Sequence, residues 1–186
     1  MRQMLAPVVF LSLALSPGAL TGQTIHAAAP TADTASPLGV FAHLAGEWEG
    51  DAWMLRGPGA RHEARQWERV EVHAGGTVIS VKGVGTEKTT SGDEQVVHDA
   101  FAIIHLDRDG RTALMRAFVG GGRWLDVDLT VRPDGYDWAM TDPRAGMIRY
   151  EMRIDDEGRW VERGYMSRDG GATWNQFMEM TLTRVR

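Results

Sequence analysis

Glu162 is the residue whose setting could do chemistry. It stands in the run Trp160-Val161-Glu162-Arg163-Gly164-Tyr165-Met166, and a strand puts Trp160, Gly164 and Met166 on its side. If that side faces inward, a carboxylate lies against aromatic surface, where desolvation raises its pKa and a positive or hydroxylated ligand can bind. If Val161 and Tyr165 face inward instead, Glu162 is a solvated surface charge. A one-residue slip in the turn that follows is enough to exchange the two outcomes.

Other chemistry has weaker footing. His98 and His105 are an odd number of residues apart, so on one strand they point to opposite faces and share no metal unless a bulge intervenes. His43 and Glu47 have helical spacing, but a strand opening lies between them. Asp107-x-Asp109-Gly110 begins as a calcium loop does, yet the position that needs its closing carboxylate is Phe118, and a turn accounts for the aspartates better. No nucleophile elbow, P-loop, zinc-helix or dinucleotide fingerprint occurs. Neither a catalytic residue nor a metal or cofactor is assigned. The chain has no cysteine, which rules out disulfides, thiolate sites and a thiol nucleophile. Its formal net charge is −5 with the arginines scattered among carboxylates, so nucleic acid and polybasic membrane contact have no electrostatic footprint.

The elements that would position Glu162 are strands. Alternating runs are predicted at Glu47 to Leu55, Glu63 to His73, Thr77 to Thr86, Val97 to Asp107, Thr112 to Val119, Trp124 to Val131, Tyr136 to Met140, Met147 to Ile154, Trp160 to Ser167 and Trp174 to Val185. Turn formers such as Gly120-Gly121-Gly122 and Pro133-Asp134-Gly135 mark nearly every joint. No long amphipathic helix intervenes, which excludes parallel crossovers. Leu125, Val127, Leu129 and Val131 face one way, as do Ile148, Tyr150, Met152 and Ile154, and also Ala113, Met115, Ala117 and Val119. In the last strand Met178, Met180, Leu182 and Arg184 share a side, with Trp174 expected to join them. The fold class is therefore all-β: an antiparallel up-and-down β-barrel of about ten strands, closed so that no edge is left open. Leu38 to Leu44 is expected to add one or two helical turns at the front. A barrel this wide has room for a small ligand, and Trp48, Tyr150, Glu162, Met166 and Met178 are its candidate lining.

The first residues carry an address. Arg2, an apolar run from Met4 to Leu15, a Pro17-Gly18 break and Ala27-Ala28-Ala29 have the layout of a secretory signal peptide, too short to span a membrane. The expected organisation is a signal peptide at 1–28, a flexible linker at 29–37 and one domain at 38–186, with cleavage between Gly22 and Ala29. The protein is expected to be exported, periplasmic or secreted, with no membrane span; its oligomeric state is left open.

Four resemblances rest on specific residues. Ser167, Asp169, Gly171, Thr173 and Trp174 spell a pattern similar to the Asp-box, a hairpin motif of sialidases; one copy implies a turn and no activity. Gly46 and Trp48 at the start with Arg184 at the end resemble the calycin, or lipocalin-like, signature, which implies an indole packed under the barrel floor against an arginine. More broadly, Phe41, Leu44, Gly46, Trp48 and Gly50, then Trp160, Glu162, Gly164 and the turn residues, resemble an uncharacterised bacterial lipocalin-like family. That resemblance implies a fold and no established activity. Nitrobindins, haem-binding barrels with a similar opening, use a histidine in the C-terminal part of the barrel. This chain has none after His105, so His43, His98 or His105 would have to serve.

The leading expectation is a non-enzymatic barrel that binds a small apolar or amphipathic molecule. Its rivals are an envelope scaffold with a filled barrel, a haem-binding barrel, and a hydrolase or isomerase built on Glu162.

Overall fold

The structure, a computed structural model, describes residues 38–57 and 59–186. The signal peptide and linker expected at 1–28 and 29–37 lie outside the described residues. A short helix, α1 (Gly39–Leu44), precedes ten strands: β1 (Gly46–Leu55), β2 (Arg61–His73), β3 (Val78–Lys88), β4 (Glu94–Leu106), β5 (Ala113–Val119), β6 (Arg123–Arg132), β7 (Gly135–Asp142), β8 (Gly146–Ile154), β9 (Trp160–Ser167) and β10 (Asn175–Arg184). Each strand pairs antiparallel with the next in sequence, and β10 returns to β1, so the sheet closes into a barrel. The predicted all-β barrel is the observed fold, with strand ends differing from expectation by a few residues.

Closure is fixed by register. Along the seam Trp48 lies opposite Arg184, Gly50 opposite Leu182, Ala52 opposite Met180 and Met54 opposite Met178. Gly50 has to be glycine, because a Cβ there would fall 1.9 Å from the Thr181 carbonyl oxygen. Gly46 takes a φ of +133°, where side chains are strained, and a Cβ would lie 2.4 Å from the carbonyl oxygen of Arg186. Glu47 instead donates its backbone N–H to that oxygen at 2.8 Å, tying the chain end to the first strand.

One end of the barrel is shut. Leu38, Phe41 and Leu44 of the helical segment are fully buried and join Val70, Ile79, Ile104, Met152, Trp160 and Leu182 in one apolar cluster. Phe41 meets Tyr136 with ring centroids 5.3 Å apart. Trp48 is at the centre: its indole N–H donates to the Leu44 carbonyl at 2.8 Å, and the Arg184 guanidinium lies 4.2 Å from its ring centroid. Arg184 also donates to the carbonyls of His43 and Ala45, the unsatisfied C-terminal end of α1. One guanidinium therefore holds the last strand, the first strand and the helix together.

One expected facing is corrected. Trp174 does not share the inner side with Met178, Met180 and Leu182, because the β9–β10 register shifts between Gln176 and Met178. The extra residue, Phe177, turns inward and is buried, whereas Trp174 sits beneath the outward Arg149, 4.4 Å from its guanidinium. A bulge reverses the facing of every residue on its far side. The turn itself forms as its residues suggest: Ser167 Oγ donates to Asp169 at 2.7 Å, and Thr173 donates to Asp169 through its backbone N–H at 2.9 Å and its hydroxyl at 2.6 Å.

Replacing Trp48 with alanine removes roughly 200 Å² of buried aromatic surface together with the cation-π contact. The Trp48→Ala variant is expected to lose about 3–5 kcal/mol of stability in urea unfolding; a loss under about 1 kcal/mol would mean that the base holds without this side chain.

Candidate functional site

The inner wall is built in layers of neighbouring residues on β1, β10, β9, β8 and β7. Lowest in the barrel are Gly50, Leu182, Trp160 and Ile154, just above Trp48. The next layer is Ala52, Met180, Glu162, Met152 and Tyr136, and above it come Met54, Met178, Gly164, Tyr150 and Trp138. Of the expected lining residues, Tyr150, Glu162, Met166 and Met178 thus share the inner face. Met166 lies one layer higher, opposite Ile148. Trp48 is at the base, edge-on to Trp160 with centroids 5.8 Å apart, and its indole N–H is already committed to the helix.

Gly164 decides what surrounds Glu162. A Cβ there would meet the Phe177 ring at 2.9 Å and the Tyr150 ring at 3.0 Å, so the missing side chain lets an aromatic layer form directly above the carboxylate. Tyr150 stacks on Trp138 at 4.2 Å with 13° between planes and meets Phe177 edge-on at 5.7 Å. Glu162 lies deep between this layer and Trp160, and burial pushes its pKa up to about 7, opposed by the nearby Trp160 indole N–H. That N–H has no hydrogen-bond partner of good geometry among the described residues, although Trp160 is fully buried. Glu162 retains some accessible surface where Trp48 and Trp160 have almost none, so side chains leave open space beside it.

A second buried carboxylate was not foreseen. Glu68 on β2 faces inward, accepts a hydrogen bond from Gln66 Nε2 at 2.7 Å, and has its pKa pushed up to about 8, chiefly by burial and in part by the charge of Glu162. Gln66 and Glu68 fit because the residues opposite them on β3 are Gly85 and Gly83. Added Cβ atoms there would come within 2.6 Å of Gln66 Oε1 and 2.5 Å of Glu68 Oε1, so both side chains lie flat over bare backbone. The signal was present in the sequence: Val70 and Val72 set the inner parity of β2, and counting back in twos reaches Glu68 and Gln66. Tyr136 completes the group; burial first, then the two glutamates, hold its phenol well above the usual range and therefore protonated. Neither glutamate has an ion-pair partner among the described residues.

Of the histidines named for haem, His43 lies in the helix under the base, and His105 points outward opposite Val78. His98 has inner parity, opposite Gly85; the residue as a whole is exposed, yet burial of its imidazole lowers its pKa. Asp107 and Asp109 make a turn in which the Asp109 and Arg111 N–H groups are satisfied by their carboxylates at 3.0 and 2.7 Å. Among the described residues no three metal-ligating side chains converge, and no helix is long and apolar enough to cross a membrane.

The barrel has a gap in its side. β6 pairs with β5 over seven positions and β7 with β8 over eight, but β6 and β7 pair over three, from Thr130–Asp137 to the turn. Beyond that point a cavity of about 760 Å³ separates the two strands, with Val127, Trp138, Met140 and Tyr150 among its lining.

These features describe a closed ten-stranded antiparallel barrel whose largely apolar interior holds two carboxyl groups, consistent with a calycin-like architecture. The chain is similar to the solved structure of Rv2717c from M. tuberculosis, with a TM-score of 0.57 and 15% sequence identity over 83% of this chain and 100% of that one. At that identity the likeness shows the fold alone. No protein-family model and no curated protein matches the sequence.

The raised carboxylates set a pH dependence. A glutamate titrates near 4.5 when unfolded, whereas Glu162 and Glu68 titrate near 7 and 8 when folded, so the folded state holds protons that the unfolded chain has released. Stability is therefore highest below pH 4.5 as far as these groups are concerned, falls as pH rises and levels off above about 8. Urea unfolding of Glu68→Gln and Glu162→Gln between about pH 5 and pH 9 should show a decline shallower than wild type by a few kcal/mol in each case. Identical slopes in wild type and variants would place both carboxylates in water.

Proposed function

We propose that the barrel binds a small amphipathic molecule, its hydrogen-bond-donating end on Glu162 and Glu68 and its apolar body against Tyr150, Trp138, Phe177 and Met178. The observation that carries this reading is a pair of inward carboxyl groups, neither in an ion pair among the described residues; Lys82, whose charge acts on Glu68, is itself paired with Asp99. Burying a carboxyl without a partner costs several kcal/mol, and a barrel required only to be filled would use apolar side chains at these positions. A ligand hydroxyl or amine supplies a further donor to these carboxyl groups, and the Trp160 N–H, which lies near Glu162 without a bond of good geometry, can serve an acceptor on the same ligand. Near neutral pH Glu68 is mostly protonated and Glu162 divided between its two forms, so a neutral hydroxyl and an ammonium are both accommodated.

The test compares head groups on one chain. Displacement of phenylnaphthylamine fluorescence should rank dodecylamine and dodecanol at least about tenfold tighter than dodecanoate, whose charge meets two carboxylates. In Glu162→Gln the preference for the amine should shrink by a similar factor. Dodecanoate binding as tightly as the amine, or no saturable binding of any probe, overturns the reading.

A second reading, an interaction protein, is favoured by one surface feature. Phe101, Phe118 and Trp124 stand side by side on the outer face of β4, β5 and β6 and are 39%, 40% and 60% exposed. A stoichiometric partner that co-purifies with the wild type and is lost from a Phe118→Ser/Trp124→Ser double variant is the result that supports it. The same recovery of that protein with both variants rules it out.

A further inference from the structure

We propose that the ligand reaches the barrel interior through the side wall, between β6 and β7, past the stacked rings of Trp138 and Tyr150. This rests on the interior being the binding site. The wall is a hydrogen-bonded sheet at every other seam, and such a sheet opens only by breaking a row of backbone bonds at once. At this seam the bonds are already missing past Thr130 and Asp137.

The cavity in the gap is lined from both faces of the sheet. Asp128, Thr130, Ala139 and Thr141 belong to the outer parity, whereas Val127, Trp138, Met140 and Tyr150 belong to the inner. A dimple on an intact sheet would be lined by the outer set alone, so this cleft opens the wall down to residues of the inner face. Its inner end is Tyr150, which stands opposite Gly164 and is close enough to Glu162 that the carboxylate's charge helps to hold the phenol protonated. The path therefore runs from solvent to the rings and from the rings to the buried carboxyl. The end of the barrel beneath α1 offers no such route, because Phe41, Leu44 and Trp48 fill it.

The outer rim also suits an amphipath with a donor head. Asp126 is bound bidentately by Arg116 at 2.6 and 2.7 Å, and Asp137 is held by Arg132 and Arg153, so those charges are matched. Asp128 is exposed, has no ion-pair partner among the described residues, and can greet a hydroxyl or ammonium at the surface. The apolar lining then receives the tail.

Because the chain has no cysteine, single thiols can be placed at will. Ala139→Cys, exposed in the gap, and Glu71→Cys, exposed on β2 across the barrel, are each reacted with benzophenone maleimide. Stopped-flow binding of phenylnaphthylamine is then followed, with circular dichroism as the check on folding. The adduct at position 139 should slow association and dissociation together by at least about tenfold, leaving the dissociation constant within about twofold, while the adduct at position 71 changes neither. That pattern marks a route, since a plug in the binding site itself would weaken affinity. Equal rates for the two adducts overturn the side-wall route and leave the interior site standing. A loss of affinity at position 139 with unchanged association places the probe in the gap itself and also overturns the route. Absence of saturable binding in the unmodified protein sinks the interior site and the route with it.

Discussion

The contact between Arg184 and Trp48 joins the last strand to the first strand and to the helix that leads into it, two ends of the domain far apart in sequence. A sheet of ten strands formed from consecutive hairpins gains its final row of bonds only when its two ends, far apart in sequence, find each other. The guanidinium lies over the indole, and its N–H groups reach the carbonyls of His43 and Ala45. Hydrogen bonds to a charged donor contribute more than neutral ones, and here they also terminate α1. The indole N–H answers with its bond to Leu44. Any displacement of one partner therefore disturbs the seam and the base together.

Glycine then decides where the wall is thin. Gly50 brings β1 against β10, Gly83 and Gly85 leave β3 bare for Glu68 and Gln66, and Gly164 makes room for Phe177 and Tyr150. Three of these four are spent on the polar group and its aromatic cover. A barrel optimised for stability alone would fill those positions with Val or Ile, which suit strands and bury more surface. The interior is thus shaped around two carboxyls at a cost in packing, in the way that functional sites break rules obeyed elsewhere in a fold.

The strands were legible because their alternation is strong and their joints are rich in Gly, Asp and Pro; Leu125 to Val131 and Ile148 to Ile154 face inward as their periodicity requires. The seam was anticipated through the resemblance of Gly46, Trp48 and Arg184 to the calycin signature, which implied an indole packed against an arginine, and these two side chains do meet. Glu162 could be found but its side could not be fixed, since the answer lay in a bulge at Phe177 that no local pattern marks. Trp174 was misjudged for the same reason. Glu68 was hidden by composition: β2 carries a charge at most positions, so its inner face looks like a solvated one until the parity of Val70 and Val72 is extended. The gap between β6 and β7 has no sequence signature, because a missing row of backbone bonds is a property of pairing and not of side chains.

Why the buried carboxylates stay without a cation follows from the same seam. Around the wall the order is Glu68, Trp48, Arg184, each directly opposite the next on neighbouring strands. Arg184 is thus separated from Glu68 by an indole, with its donors taken by the helix carbonyls, and Lys82, whose charge does act on Glu68, is paired with Asp99 on the outer face. Were Arg184 free to reach Glu68, an ion pair would draw that carboxyl back toward its ordinary range. Trp48 accordingly acts in two ways: it closes the base against water, and it keeps the positive charge that stabilises the seam apart from the carboxyl group of Glu68. Stability and site chemistry are kept apart by the thickness of one aromatic ring, which requires the residue between the two charges to be large, flat and uncharged.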